Sequence, residues 1–333
     1  MKLFSCEQCG RSVYFDSSRC TGCGSALAYF PERRSIGVLE AGVRPCRNLD
    51  EIGCNWACDP GEPAEACRSC RLTEVVPDLA IPGTREAWRR LEMAKRRLLF
   101  SLFALGLPLH GLSFAFLRDE AAVGKPKVLT GHADGRITIN LAEADDPQRE
   151  RIRVELGESY RTLLGHFRHE IGHYYWNVLI RDAGVFDDFR NVFGDERADY
   201  AEAGKRHYSL GPPPDWSASF ISAYASMHPW EDFAETWAHY LHMTDTLETA
   251  RAHELGLKPK PAARTVRLGQ LDPVSFDQLI GAWLPLTVTL NELSRSMGLP
   301  DAYPFVLPAA AIAKLRWVHE RIVQSRAALN PGA

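Results

Sequence analysis

No cysteine follows position 70, no stretch of 18 apolar residues occurs in the 333, and neither sign of charge dominates. Each absence excludes something. Without a long apolar run there is no candidate membrane-spanning helix. Met1-Lys2-Leu3-Phe4-Ser5-Cys6 also lacks the apolar core of a signal peptide, so the chain is read as cytoplasmic. A net charge of -3 provides no general attraction to nucleic acid or anionic membrane. Internal repeats, low-complexity tails and charge blocks are missing as well, which excludes solenoid and tail-driven architectures. The 45% hydrophobic composition suits a globular protein with one large domain and small appendages.

What is present lies unevenly. All nine cysteines fall before residue 71. Cys6-Glu7-Gln8-Cys9 and Cys20-Thr21-Gly22-Cys23 form C-x2-C…C-x2-C across a short, turn-rich spacer, the spacing of a four-cysteine zinc ribbon built from two knuckles. So little apolar material accompanies them that metal binding would supply much of the module's folding free energy. A disulfide pair would require an oxidising compartment, for which nothing in the sequence argues. In a second cluster, Cys67-Arg68-Ser69-Cys70 is one knuckle, and Cys46 with Cys54 or Cys58 could complete another tetrahedral site.

Farther on, His169-Glu170-Ile171-Gly172-His173 supplies H-E-x-x-H. On a helix the two imidazoles project from one face a turn apart and can share a metal ion, while Glu170 can take a proton from a water in the ion's open position. The stretch from Glu158 to Ile180 has no proline, and Leu163, Leu164, Phe167, Ile171, Tyr174 and Val178 recur at helical spacing, predicting a buried helix. Two histidines leave tetrahedral zinc one protein ligand short. A helix beginning near Pro229 carries Glu231 and Glu235 four apart on one face, so one carboxylate can bind metal while the other accepts a ring N–H of a ligating histidine. Rival third ligands are Asp195 and Glu196, in the acidic run Phe193–Tyr200 on a plausible helix of its own. His166 shares the H-E-x-x-H face and reads as a structural or outer histidine. His239 and His242 read as ordinary hydrogen-bonded histidines.

H-E-x-x-H followed by E-x-F-A-E, with a tyrosine seven residues before the first Glu, resembles the gluzincin metallopeptidases, especially lethal-factor-type catalytic domains. The resemblance implies Glu231 as third zinc ligand, Glu235 as the residue that orients a ligating histidine, and Tyr224 as oxyanion donor. The chain as a whole resembles a bacterial family of zinc-binding metallopeptidases with an N-terminal zinc ribbon. That likeness implies Cys46, Cys54, Cys67 and Cys70 as the second structural set, with Cys58 spare. It also implies a peptide or protein substrate, and one catalytic zinc with one or two structural ones.

The expected fold is therefore α+β: a zincin-like, mostly helical metallopeptidase domain with a small sheet, preceded by Cys-rich zinc modules. Boundaries are set at residues 1–30 for the ribbon, 31–76 for the second module and 84–333 for the metallopeptidase domain. Pro77–Gly83 reads as a linker, and Thr84 as the cap of a helix to about Leu105 whose Arg89-Arg90 and Lys95-Arg96-Arg97 groups form a solvated cationic face. Strands are expected at Leu112–Leu117, Val128–Thr130 and Arg136–Leu141, with Asp134-Gly135 as a hairpin turn. The last strand is the candidate edge for pairing with substrate backbone, as the zincin likeness implies. Phe276–Ser296, with a kink at Pro285, and Ala309–Gln324 read as core-completing helices. In a different class of function the ribbons act as an adaptor for nucleic acid or protein beside an idle or regulatory zincin. The mild acidity argues against nucleic acid, while a protein partner at the ribbons remains open.

Overall fold

Each C-x2-C pair of the first ribbon closes a tight knuckle in which the glycine after the second cysteine turns the chain back. Gly10 N–H donates to Cys6 O at 2.8 Å and Gly24 N–H to Cys20 O at 2.9 Å. Both glycines have φ near +70°, at 71° and 77°, which residues with a Cβ rarely adopt. The knuckles are flanked by two short antiparallel pairs, β1 (Phe4–Ser5) with β2 (Ser12–Val13) and β3 (Leu27–Phe30) with β4 (Ser35–Val38). The computed structural model describes residues 2–63, 65–119, 127–155, 160–257, 266–267 and 275–329. They form two units, one from the described residues before 156 with Arg161–Phe167, the other from Tyr160 and the described residues from Arg168 onward.

In the first unit the second cysteine cluster contributes the single-turn helices α1 (Leu49–Ile52) and α2 (Arg68–Arg71), followed by β5 (Thr73–Val75). A long helix, α3 (Thr84–Leu105), comes next, then β6 (Ser113–Leu117), β7 (Gly131–Ala133), β8 (Arg136–Asn140) and α4 (Asp146–Glu155). The four strands make one sheet in the order β5-β6-β8-β7, parallel except for the β8–β7 hairpin. Phe114 and Phe116 of β6 and Ile137 and Ile139 of β8 are buried, as are Leu91, Leu98, Leu99 and Leu102 of α3. Phe15 from the first ribbon, Tyr29 from β3, Trp56 from the second cluster and Phe100 from α3 form one aromatic cluster, with neighbouring centroids 4.7–5.4 Å apart. The cysteine modules thus share a core with α3, and β5 extends the same sheet.

Several expectations change here. Val128–Thr130 is not a strand, because side chains take its backbone groups: Val128 N–H donates to Asp119 Oδ1 at 2.7 Å, and Asn140 Nδ2–H donates to Val128 O at 2.9 Å. Pairing starts instead at Gly131, around the predicted Asp134-Gly135 turn. Arg136–Leu141 is not an edge, since β8 lies between β6 and β7 and ends at Asn140, whose side chain accepts from Ala142 N–H. Thr84 is the first residue of α3 rather than its cap, and its hydroxyl accepts from Arg118. The cationic face is only partly solvated. Lys95 and Arg96 are buried, Lys95 against Glu92 at 2.8 Å, and Arg96 interacts electrostatically with Cys54 and Cys70.

Helix α5 (Leu163–Trp176) begins in the first unit, where Phe167 packs on Phe114 and Phe116. It is shorter than the predicted run from Glu158 to Ile180. Glu158 and Ser159 lie outside the described residues, Tyr160–Thr162 are not helical, and Asn177–Arg181 widen into a π-helical turn. The second unit continues with α6 (Phe186–Phe193), α7 (Tyr200–Leu210), α8 (Pro229–Ala252), a two-residue pair β9 (Gly256–Leu257) and β10 (Val266–Arg267), then α9 (Phe276–Ser296) and α10 (Ala309–Leu329). Residues 194–199 are not helical, so the acidic run is a connection between α6 and α7 rather than a helix. Phe189, Phe193 and Phe233 pack with Trp317 of α10, and Trp237 stacks on Tyr175 of α5, giving this unit an aromatic core. Helix α9 opens on a capping box between Ser275 and Gln278 and runs through Pro285.

Candidate metal centre

Helix α8 starts where its sequence can satisfy a first turn. His228 caps it, Nδ1 accepting from Trp230 N–H at 3.1 Å, and Pro229 takes the position where a missing N–H costs nothing. Glu231 and Asp232 follow in the first turn, where the helix end favours negative charge. The helix lies against α5 at one closely packed point: a Cβ added to Gly172 would come within 2.9 Å of Ala234 Cα and 3.2 Å of Ala234 O. Gly172, between Glu170 and His173, permits an approach that brings Glu231 and Glu235 up to the two histidines.

At this crossing His169 Nε2 stands 3.2 Å from His173 Nε2 and 3.0 Å from Glu231 Oε2, and His173 Nε2 stands 3.5 Å from Glu231 Oε2. Four ligands around zinc at about 2.0–2.1 Å would stand about 3.3–3.4 Å apart, so the three atoms match one face of such a tetrahedron. Glu231 is 1% exposed, and among the described residues its Oε2 faces only the two imidazole nitrogens, so the donor set is one that a cation could complete. The outer contacts are specific. Glu235 Oε1 lies 2.7 Å from His169 Nδ1, and its Oε2 accepts from Ser222 Oγ–H at 2.6 Å. Tyr200 Oη–H donates to Glu231 Oε1 at 2.7 Å, and Trp230 stacks on the His173 ring at 3.6 Å.

Electrostatics follow the same contacts. Burial opposes charge on His169, yet Glu231 and Glu235 more than reverse this and hold its pKa well above the ordinary value. Burial likewise pushes the Glu231 carboxyl up, but the two histidines win and keep it well below the carboxylate range. Glu235 is brought down to about 2, its burial outweighed chiefly by His169. Tyr224 is raised far above the ordinary phenol range by burial, then by the charge of Glu231. Its ring is 5.9 Å from that of His169, and its hydroxyl interacts with that of Tyr200. Glu170 is buried, with Oε2 unpartnered among the described residues.

The rival ligands are engaged elsewhere: Glu196 is gripped by Arg190 at 2.5 and 3.0 Å, and Asp195 by Arg197 at 2.8 Å. His166 lies 2.9 Å from Glu143, and His239 pairs with Tyr303 Oη at 2.7 Å. Nothing in the sequence marks Ser222 or Tyr200 for this role. A serine in a loop carries no periodic signal, and Tyr200 was visible only as the end of the acidic run.

The cysteines form two further groups. Cys6 and Cys23 sulfurs are 3.7 Å apart and those of Cys9 and Cys20 3.5 Å, while Cys54 lies 3.6 Å from Cys67 and 3.7 Å from Cys70, with Cys46 completing that buried set. Tetrahedral Zn–S bonds of about 2.3 Å place sulfurs about 3.8 Å apart, close to these values. A disulfide would need about 2.0 Å. Cys58 stands outside the group against Pro45 O, its thiol pushed up to about 11 by burial.

Two cysteine tetrads and a His/His/Glu triad on paired helices define a zinc-binding protein of the hydrolase class. Residues 84–321 match the sequence profile of the family described as "Putative zinc-binding metallo-peptidase", and residues 3–81 match that of a zinc-ribbon domain. The chain belongs to that metallopeptidase family, which implies a peptide or protein substrate. It is similar to proteins of Mycobacterium bovis and Mycobacterium tuberculosis, each named only as an uncharacterized protein. They are 45% identical over 331 residues, which cover 96% of this chain and 94% of theirs. No solved structure matches it. Among the described residues, no helix is long and apolar enough to cross a membrane.

Proposed function

We propose that the chain hydrolyses peptide bonds at the centre formed by His169, His173 and Glu231, with Glu170 as general base. The observation that carries this reading is the convergence of the three ligand atoms at 3.0–3.5 Å, one of them the oxygen of a carboxylate only 1% exposed. Zinc bound by these three residues would supply Lewis acidity toward the scissile carbonyl and would lower the pKa of a water toward about 7. Glu170 accepts the proton of that water as it attacks, then delivers it to the leaving amine. Glu235, its carboxyl brought down to about 2 chiefly by His169, accepts a hydrogen bond from His169 Nδ1–H and so turns Nε2 toward the metal position. Tyr224 retains its proton and donates to the developing oxyanion. The cysteine tetrads are structural and hold the first unit together.

The test is hydrolysis of a fluorogenic peptide mixture by zinc-loaded protein beside Glu170→Gln. The variant should keep its zinc and lose about 10²–10⁴-fold in kcat. Full activity in zinc-loaded Glu170→Gln would falsify the assignment.

A further inference from the structure

Tyr200 is the first residue of α7, an eleven-residue helix in which every residue remains at least partly exposed. Tyr200 itself is 44% exposed, so filling the core does not explain its place. Its hydroxyl nonetheless reaches the most buried carboxylate of the centre, donating to Glu231 Oε1 at 2.7 Å, while Oε2 of the same group faces His169 and His173. The two oxygens are thereby divided between two tasks.

The approach of Tyr200 is itself fixed. Asp199 caps α7 by accepting from Glu202 N–H at 3.0 Å. One residue earlier, Ala198 O accepts from His228 Nε2–H at 3.0 Å, and the other nitrogen of His228 caps α8. A single imidazole therefore pins together the starts of the helices that carry Tyr200 and Glu231. The Tyr200 ring stands edge-on to His228 and to Trp230, at 5.3 and 5.7 Å.

We propose that Tyr200 is a positioning residue for Glu231: by occupying Oε1 it leaves Oε2 as the single oxygen offered to the metal. A carboxylate free to offer both oxygens would fill the coordination position that a hydrolytic zinc site keeps open for water or substrate. A hydrogen bond to an ionised carboxylate is strong enough to hold that division. The inference rests on the metal reading of His169, His173 and Glu231 given above.

The test uses the full-length chain, with a chelator treatment that empties only the histidine site and leaves the cysteine sites loaded. Zinc affinity is measured by competition with a chromophoric chelator for the parent, Tyr200→Phe, Tyr208→Phe and Glu231→Ala, and the visible spectrum is recorded with Co(II) in the same site. Tyr200→Phe keeps the ring and its edge contacts, and retained metal at the cysteine sites shows that the variant folds. The expected result is a 10–100-fold loss of zinc affinity in Tyr200→Phe, with a changed Co(II) ligand-field spectrum, and no change in Tyr208→Phe, on the same helix. A Tyr200→Phe protein with the parent's affinity and a superimposable spectrum overturns the inference. If Glu231→Ala also left the affinity unchanged, the metal reading itself would fall. Loss in Glu231→Ala alone removes only the role of Tyr200.

Discussion

Glu235 Oε1 stands 2.7 Å from His169 Nδ1, and the other oxygen of the same carboxylate accepts the Ser222 hydroxyl at 2.6 Å. The contact fixes which imidazole nitrogen faces the metal position, since an ionised carboxylate can only accept. It also ties α8 to the loop that carries Tyr224, because Ser222 Oγ accepts from Ala225 N–H at 3.1 Å.

Glu235→Ala should therefore weaken zinc at the histidine site by about 10–100-fold, and Ser222→Ala by less, with zinc at the cysteine sites untouched. Chelator competition on the full chain measures both. Equal affinities in parent and Glu235→Ala would show that His169 needs no partner at Nδ1.

Tyr224→Phe should retain zinc with the parent's affinity and lose about 10²–10³-fold in kcat, the range for removing one oxyanion donor. Steady-state kinetics on the peptide cleaved by the parent provide the comparison. A change confined to KM would assign Tyr224 to substrate binding instead.

Gly172→Ala tests the helix crossing. The new methyl meets backbone atoms of Ala234, which cannot rotate away, so α5 and α8 must separate at a cost of about 1–3 kcal/mol. Both the unfolding midpoint and the zinc content should drop. Gly204→Ala on α7 is the matched control. Its Cβ meets nothing within 4 Å, so it should be neutral or gain up to about 1 kcal/mol of helix stability. A Gly172→Ala protein as stable and as metal-rich as the parent would remove the close approach as a constraint.

Acid should loosen the second unit. Burial pushes the His239 ring down to about 4 and the His242 ring down to about 3, with Arg168 adding to both shifts. Unfolded, each ring titrates near about 6.5. The folded state refuses protons that the unfolded state takes up, so the stability from these rings is intact above about pH 6.5 and declines as pH falls toward 4 and 3. Each ring contributes a slope of at most about 1.4 kcal/mol per pH unit. Urea midpoints taken from neutral pH downward should show the decline, and His242→Gln should make it shallower. A slope identical in His242→Gln and parent would mean that the ring is already charged in the folded protein.

How much of this could be read beforehand depends on range. Residues four apart on one helix, such as His169 with His173 or Glu231 with Glu235, have a relation set by helix geometry alone, and a C-x2-C pair defines its knuckle in the same local way. The Tyr200 to Glu231 and Ser222 to Glu235 contacts join a helix start or a loop to a helix, and no periodicity reports them. The basic run at Lys95 and Arg96 misled for a related reason. Such residues usually face water, but here Glu92 supplies negative charge to Lys95 inside the core, and Arg96 interacts electrostatically with Glu92 and with the neighbouring Cys54 and Cys70. Sheet order was equally hidden, because β8 pairs with β6 across a long connection as well as with its hairpin neighbour β7.

Cys54 and Cys67 have no exposed surface, and neither have Trp56 and Tyr29, whose rings pack together at 4.7 Å. A metal ion held by Cys46, Cys54, Cys67 and Cys70, of which Cys70 keeps the most surface at 7%, would exchange with solvent chiefly when this core opens. Its departure is then governed by a rate of opening instead of an affinity. The second cysteine site thus acts as a clock: metal released from it into excess chelator counts the occasions on which this core comes apart.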